Sequence, residues 1–373
     1  MRLKINREAF LKGLNVASKA IGSKSPLPVM SQIKLTLDDK GLDVLGSNNE
    51  IAIKTSIPFM IDGKTIISDY EFGGALLNSR IVTEIVRRVE GETVTIDIVD
   101  DTIVEIGDGN SSFKLNSMRV EEYPELEMDA DGVVIHLPSK TFVKMVEQTA
   151  FAASSKEQRP ILTAVNLEAI ESKIVATATD SARLSRKEIP IDKIVKINAN
   201  IPARVMIEVA HLIEKETDLL ISISDKKILI SFDNTVITSR LIGGEYPNTH
   251  NIIPKTFNFF LEVNSREIIA AMERVSLLSI ERENVVKLSM SEDAVEVSSK
   301  SAQVGSASER ITTFTYTGDP FEVSFNSEYV MAAIKAAQCE DITIAFLGEM
   351  KPFVVKNAKD DSQVQLVTPV RTY

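Results

Sequence analysis

In "NREAFLKGLNVASKAIGS" the apolar residues Phe10, Leu14, Ala17 and Ile21 fall at i, i+4, i+7 and i+11, the stripe of a helix with one buried face. The stripe returns at Phe142, Val146 and Thr149, and again at Ile268, Met272 and Val275. A second set of helices is spaced more regularly: "NSRIVTEIV" begins at Asn78, "PARVMIEVA" at Pro202 and "NSEYVMAAI" at Asn326, steps of 124 and 124. Asn at such a start is N-cap chemistry, and Pro is tolerated in a first turn. Each of these helices precedes three short alternating or β-branched runs: "TVTIDIV", "TIVEIGD" and "SFKLNSM"; "DLLISIS", "KILISFD" and "TVITSRLI"; "DITIAFLG", "PFVVKNA" and "VQLVTPV". Links such as "DD", "DKK" and "GDGN" are hairpin turns, so these strands are antiparallel. Comparable runs, "IKLTLDD" and "GLDVLGS", follow the first helix.

The chain is therefore one unit of helix, strands, helix, strands, written three times. The tripeptide Glu-Tyr-Pro repeats with it, in "EEYP" at 121–124 and "GEYP" at 244–247, and Pro369 continues the spacing. These prolines are expected to end the last strand of each unit and to stiffen the passage to the next. Three domains follow, over 1–127, 128–250 and 251–373. The fold class is α+β, with two helices per domain segregated to one side of antiparallel sheets.

Composition adds little: 44% hydrophobic and 25% charged residues are ordinary for globular chains. No apolar run reaches the ~20 residues of a membrane helix, and "MRLKINREAF" lacks a signal-peptide core. The single cysteine, Cys339, allows no intrachain disulfide. A cytoplasmic setting with no membrane partner is the expectation. His136, His211 and His250 have no metal-ligand spacing, and no phosphate loop, dinucleotide fingerprint or nucleophile elbow occurs. No catalytic residue, metal or cofactor is expected.

Charge changes the picture more. The net charge is −11, yet six helix segments (7–24, 80–88, 140–159, 204–215, 266–282 and 329–338) together carry +8, leaving −19 elsewhere. If these helices share a face, that face attracts polyanions. Zero Trp and 6% aromatics leave few platforms for stacking single-stranded bases, and no base-reading motif is present. Sequence-neutral attraction to duplex phosphates remains.

The threefold unit, "SPLPVMSQIKLTL", "RPILTAVNLE", "ATDSARLS" and the "TPVRTY" ending together resemble, end to end, the beta subunit of bacterial DNA polymerase III, the sliding clamp. The resemblance implies a DNA-clamp fold and a head-to-tail homodimeric ring around duplex DNA. That ring is a non-catalytic processivity factor for the replicative polymerase. Free sheet edges at the two ends of an arc of three units suit such closure. The resemblance also implies a groove where short peptides of polymerase, clamp loader and repair proteins dock. The matching positions are Leu162, Thr179, Arg183, Leu184, Pro247, Ile252, Asn326, Tyr329, Met350, Leu366, Val367, Thr368, Pro369, Val370 and Arg371. Ser181 and Ala182 stand where the family usually has Gly-His. Lys12, Lys24, Arg80, Lys156, Arg159 and Arg204 match its DNA-contacting positions. A peptide-binding scaffold without DNA encirclement is the alternative reading.

Overall fold

The computed structural model describes residues 1–22, 27–100, 102–279 and 284–371. The first repeat runs β1 (Arg2–Asn6), α1 (Arg7–Ser18), β2 (Gln32–Asp38), β3 (Gly41–Ser47), β4 (Ile51–Ile57), β5 (Met60–Ile61), β6 (Lys64–Thr65), β7 (Ile67–Glu71), β8 (Gly73–Asn78), α2 (Ser79–Arg88), β9 (Thr93–Asp100), β10 (Ile103–Gly107) and β11 (Ser112–Asn116). The second runs β12 (Val133–Pro138), α3 (Ser139–Thr149), β13 (Ala164–Ile170), β14 (Lys173–Thr179), β15 (Arg183–Pro190), β16 (Asn198–Pro202), α4 (Ala203–Leu212), β17 (Asp218–Ile223), β18 (Lys227–Phe232) and β19 (Thr235–Arg240). The third runs β20 (Phe259–Asn264), α5 (Ser265–Ser276), β21 (Val285–Met290), β22 (Val295–Ser301), β23 (Gly305–Ile311), β24 (Phe314–Thr317), β25 (Phe321–Asn326), α6 (Ser327–Ala337), β26 (Asp341–Phe346), β27 (Phe353–Lys356) and β28 (Gln363–Val367).

The helical stripes face the core: Phe10, Leu14 and Ala17 are buried on α1, Phe142, Val146 and Thr149 on α3, and Ile268, Met272 and Val275 on α5. Ile21 lies beyond the end of α1 and only packs against the edge of that core. Asn6, Asn78, Asn264 and Asn326 cap α1, α2, α5 and α6, each side chain accepting a backbone N–H of the first turn. Each such cap is worth about 1 kcal/mol.

Two compact units form. One comprises Met1–Ser139 with Glu208–Leu241, the other Lys140–Ile207 with Ile242 onward, so the central repeat contributes to both. The first unit holds a five-stranded sheet, β11-β10-β9-β1-β7, and an eight-stranded sheet, β12-β17-β18-β19-β4-β3-β2-β8. In the eight-stranded sheet the last strand of the second repeat joins the first repeat, β19 pairing β4 from Thr235↔Thr55 to Ser239↔Ile51. The second unit holds a nine-stranded sheet, β16-β13-β14-β15-β28-β27-β26-β20-β24, and a four-stranded sheet, β23-β22-β21-β25. Here β28 pairs β15 from Arg183↔Val367 to Lys187↔Gln363, the same join one repeat further on. Strands β4, β15 and β23 are equivalent, as are β11, β19 and β28. Of these, β23 and β11 are the outermost strands of their sheets.

The Tyr-Pro pairs do not end strands. β11 stops at Asn116 and β19 at Arg240. The chain then fastens to the edge strand of its own repeat: Met118 bridges Leu76, and the Ile242 N–H donates to the Asn200 carbonyl at 2.8 Å. From there it crosses the sheet as a strap, with the tyrosine as its plug. Tyr123 is 3% exposed and packs with Met30 and Leu76, and the Tyr246 hydroxyl accepts the Thr179 N–H at 3.0 Å. Burial pushes both phenols up to about 12. Pro369 is not the third copy of this site. In the third repeat the Val370 N–H donates to the Ser324 carbonyl at 2.7 Å, so Val370 takes the place of Met118 and Ile242. Those two residues precede their prolines, whereas Pro369 precedes Val370. The near-equal spacing arises because the links 347–352 and 357–362 of the third repeat are longer than their counterparts 224–226 and 233–234.

Candidate functional site

The turn between β14 and β15 is built by "TDSAR". The Thr179 hydroxyl donates to the Arg183 carbonyl at 2.6 Å, and Asp180 Oδ1 accepts the N–H groups of Ala182 and Arg183 at 2.9 and 3.0 Å. The first repeat makes the same turn. Ser47 donates to the Ile51 carbonyl, and Asn48 Oδ1 accepts from Glu50 and Ile51. Both turns require a left-handed residue, Asn49 at φ 74° and Ser181 at φ 81°. Asn tolerates that conformation, but Ser carries a Cβ penalty there. The Thr-Asp pair is thus turn architecture, and its product is the pose of Arg183.

Arg183 Nε donates to Asp180 Oδ2 at 2.9 Å. Its guanidinium carbon lies 4.5 Å from the centre of the Tyr329 ring and 5.5 Å from that of Phe151. With 18% of its side chain exposed, this cation is fixed by a carboxylate and two aromatic faces. It forms one wall of a surface whose neighbours come from the segment just after β28: the Thr368 N–H and hydroxyl both donate to the Ala182 carbonyl, at 2.9 and 2.8 Å.

The other sequence-derived positions divide by depth. Leu162, Thr179, Leu184, Leu366 and Val367 are buried. Leu184 and Leu366 pack with Ala345 and Val354 beneath Ile253 and Phe257, and Val367 belongs to the core of the third repeat. Ile252, Met350 and Val370 are exposed apolar side chains; Pro247, Tyr329 and Pro369 are half-buried, and Arg371 is exposed. Asn326 serves α6 as its cap. Asp180, Phe151, Tyr246, Ile253 and Phe257 were not foreseen. Asp180 was legible as the i, i+3 partner of Arg183, and Tyr246 in the recurring tripeptide.

The basic positions are less uniform. Arg80 on α2 and Arg204 on α4 are exposed, as is Lys156 after α3. Lys12 on α1 is exposed and pairs with Glu214 at 2.5 Å, a surface contact worth about 0–1 kcal/mol. Arg159 donates to the Ser181 hydroxyl at 3.3 Å, which puts it on the turn that carries Arg183. Lys24 lies outside the described residues. Part of the helical positive charge is spent locally, Arg87 and Arg88 on Glu84 and Arg274 on Glu309. Among the described residues no group of three or more His, Cys, Asp or Glu is placed to hold a metal ion.

A repeated helix-and-sheet unit with a solvent-facing apolar surface and basic helices defines a clamp-type binding protein. The comparisons narrow this. Family models of the N-terminal, central and C-terminal domains of the DNA polymerase III beta subunit match residues 1–127, 136–248 and 250–371. The beta sliding clamps of Staphylococcus aureus and Bacillus subtilis are each 33% identical, over 376 and 380 residues, with both chains fully covered. The crystal structure of the Bacillus subtilis DNA polymerase sliding clamp superposes with a TM-score of 0.96 at 32% identity, and that of the Streptococcus pneumoniae beta chain with 0.94 at 31%. Both structures cover, and are covered by, the whole chain. The chain belongs to the DNA polymerase III beta subunit family, the sliding clamps, whose members are non-catalytic accessory subunits in DNA replication. That membership favours the clamp reading over a scaffold without a DNA role.

Proposed function

We propose that two copies of the chain close head to tail into a ring around duplex DNA and tether DNA polymerase III to it in the cytoplasm. One observation carries the closure. Within the chain, β19 docks on β4 and β28 docks on β15, while the equivalent edges of β11 and β23 stand at the outside of their sheets. Pairing β23 of one copy with β11 of the other makes a nine-stranded sheet in the order of the one around β15 and β28. It also removes both exposed edges. Lys12, Lys24, Arg80, Lys156, Arg159 and Arg204 would contact phosphates without reading bases. Three domains over 1–127, 128–250 and 251–373 remain the working division. The test is retention on DNA: protein loaded on nicked circles stays at moderate salt and leaves once the circle is cut. Equal loss from circles and linear DNA would refute encirclement, because direct phosphate binding is indifferent to ends.

Partner peptides, in the same proposal, dock over Arg183, Tyr329, Pro247, Ile252, Met350 and Val370, above the floor of Leu162, Leu184, Leu366 and Val367. Burying two apolar side chains there is worth roughly 3–6 kcal/mol before ordering costs, enough for micromolar affinity. Met350→Glu tests this by titration with a peptide bearing Gln and a terminal Leu-Phe pair. An unchanged affinity would remove the groove from this place.

A further inference from the structure

We propose that the free edge of β12 receives an extended segment of a partner protein as an added antiparallel strand, with apolar and hydroxyl-bearing residues alternating along it and basic residues at its C-terminal end. β12 precedes the first helix of the second repeat, as β1 and β20 precede the first helices of the other two. In those repeats the strand has a neighbour on each side: β1 lies between β9 and β7, and β20 between β26 and β24. β7 and β24 are supplied by the links 58–72 and 312–320, whereas the corresponding link 191–197 of the second repeat contains no strand. β12 is accordingly the outermost strand of its sheet, paired with β17.

The phase of the hydrogen bonds identifies the open groups. The N–H groups of Arg7, Ser139 and Ser265 donate to the carbonyls of Glu92, Thr217 and Glu340 at 2.9, 2.8 and 2.7 Å. Bonding alternates along an antiparallel strand, so Leu137 and Ile135 turn their backbone groups to β17, and His136 and Val134 turn theirs outward. In the other repeats these outward positions are filled. Lys4 pairs Ser68, Glu262 pairs Thr315 and Phe260 pairs Thr317; His136 is the counterpart of Lys4 and Glu262, and Val134 that of Phe260. Among the described residues no hydrogen bond reaches the outward backbone groups of Val134 and His136, and both side chains are exposed. The edge "VVIHLP" carries no Lys, Asp or Glu to discourage pairing, and Pro138 blunts one end of it.

The chain's own two strands describe what fits. In β24, Phe314 and Tyr316 lie opposite Val263 and Leu261 and pack on the core, while Thr315 and Thr317 pair the outward positions. β7 begins alike, with Ile67 opposite Ile5 and Ser68 opposite Lys4. On β12 the apolar partners of such a strand are Leu137 and Ile135. Its C-terminal end, running antiparallel, approaches residues 125–131, where Glu125, Glu127, Asp129 and Asp131 are exposed and Lys227 pairs with two of the four. That surplus of negative charge suits lysine or arginine there. Main-chain pairing supplies the affinity and the alternating side chains the selectivity.

The test titrates the full chain with a fluorescent peptide, Thr-Thr-Phe-Thr-Tyr-Thr-Gly-Lys-Lys, which is the sequence of residues 312–318 followed by two lysines, and reads anisotropy. Saturable binding is expected. Methylating the backbone nitrogen of the threonine on either side of the tyrosine should weaken it at least about tenfold, because those N–H groups meet β12, and methylating that of the tyrosine, which points away, should leave it within about twofold. Exchanging the lysines for glutamates should also weaken it about tenfold. Val134→Pro removes one outward N–H, a change an edge strand tolerates, and should abolish binding with the thermal unfolding of the chain unchanged; should that variant unfold, the methylation pattern on the unaltered chain decides. An excess of the Gln…Leu-Phe peptide should not compete. No saturation up to millimolar peptide, equal effects of the three methylations, full binding by folded Val134→Pro, or competition by the Leu-Phe peptide would each overturn the proposal. Self-association that Val134→Pro abolishes would do so too, since β12 of a second copy would then be the occupant.

Discussion

Asp360→Asn should cost the second unit about 3 kcal/mol. Asp360 lies in the link before β28 and accepts from Lys187 at 3.0 Å, from Lys144 and Gln363 at 3.3 Å each, and from the Ser362 hydroxyl. Side-chain exposure is 9% for Lys187 and 19% for Asp360. Burial alone would raise the carboxyl's pKa. The hydrogen bonds of Ser362 and Lys187, with the charge of Lys187, overcome it and hold the group well below the usual carboxylate range. Removing the negative charge strands a buried ammonium, the case for which one-sided loss of an ion pair costs about 3–5 kcal/mol. The lower end applies because Lys187 keeps its 2.6 Å bond to the Ser362 hydroxyl; Lys144, half exposed, adds little. A lowered folded-state pKa means the stabilisation is complete above the unfolded value of about 4 and fades as pH falls below it. The difference between wild type and variant should therefore stay constant from about pH 8 to 5 and shrink below about 4. Hydrogen exchange of 183–190 and 363–367 at neutral pH reads the opening energy of the β15–β28 pair directly, and urea midpoints supply the pH series. A difference under about 1 kcal/mol, or one that widens on acidification, would refute the reasoning. Pairing Lys187→Met with Asp360→Leu should recover most of the loss.

Ser181→Gly should stabilise by roughly 0.5–1 kcal/mol by relieving the left-handed residue, whereas Ser181→Ala, which keeps the Cβ, should not; equal effects in thermal unfolding would show that the turn is unstrained. Tyr123→Phe should raise the stability of the first unit by about 1 kcal/mol, because the buried hydroxyl has no hydrogen-bond partner among the described residues, and a loss in a urea titration would reveal one. Tyr123→Ala should cost about 3 kcal/mol through the cavity it leaves, seen as faster exchange around Met30 and Leu76. Deleting residues 369–373 should abolish binding of the Leu-Phe peptide while sedimentation still reports a dimer; monomers would mean that the tail belongs to the ring contact.

Local structure was legible because local chemistry decides it. The stripe Phe10, Leu14, Ala17 and the caps Asn78 and Asn326 need only neighbours within a turn, and they are where periodicity put them. The Pro369 analogy failed for a related reason. Counting residues measures chain length, whereas equivalence is set by hydrogen bonds, and two longer links in the third repeat shifted Val370 into the position expected for an earlier residue. The helical charge tally was legible as a number but not as a field, since Glu84 and Glu309 neutralise arginines from their own or a neighbouring element. Arg183 was found by resemblance; Asp180, which fixes its pose, was legible only as its i, i+3 neighbour, and Phe151 carries no periodic signal at all.

The joins between repeats were the least visible, and they matter most. β15 and β28 lie some 180 residues apart in sequence, and nothing in either strand names its partner. Once two such joins are seen, symmetry rather than any single contact is what supports the proposed third. Each repeat presents one three-strand edge and one last strand, a heterologous pair that must either close or continue. Two of the three pairings are satisfied inside the chain, leaving one edge of each kind. In the proposed ring a second copy meets that remainder, leaving no edge of either kind exposed.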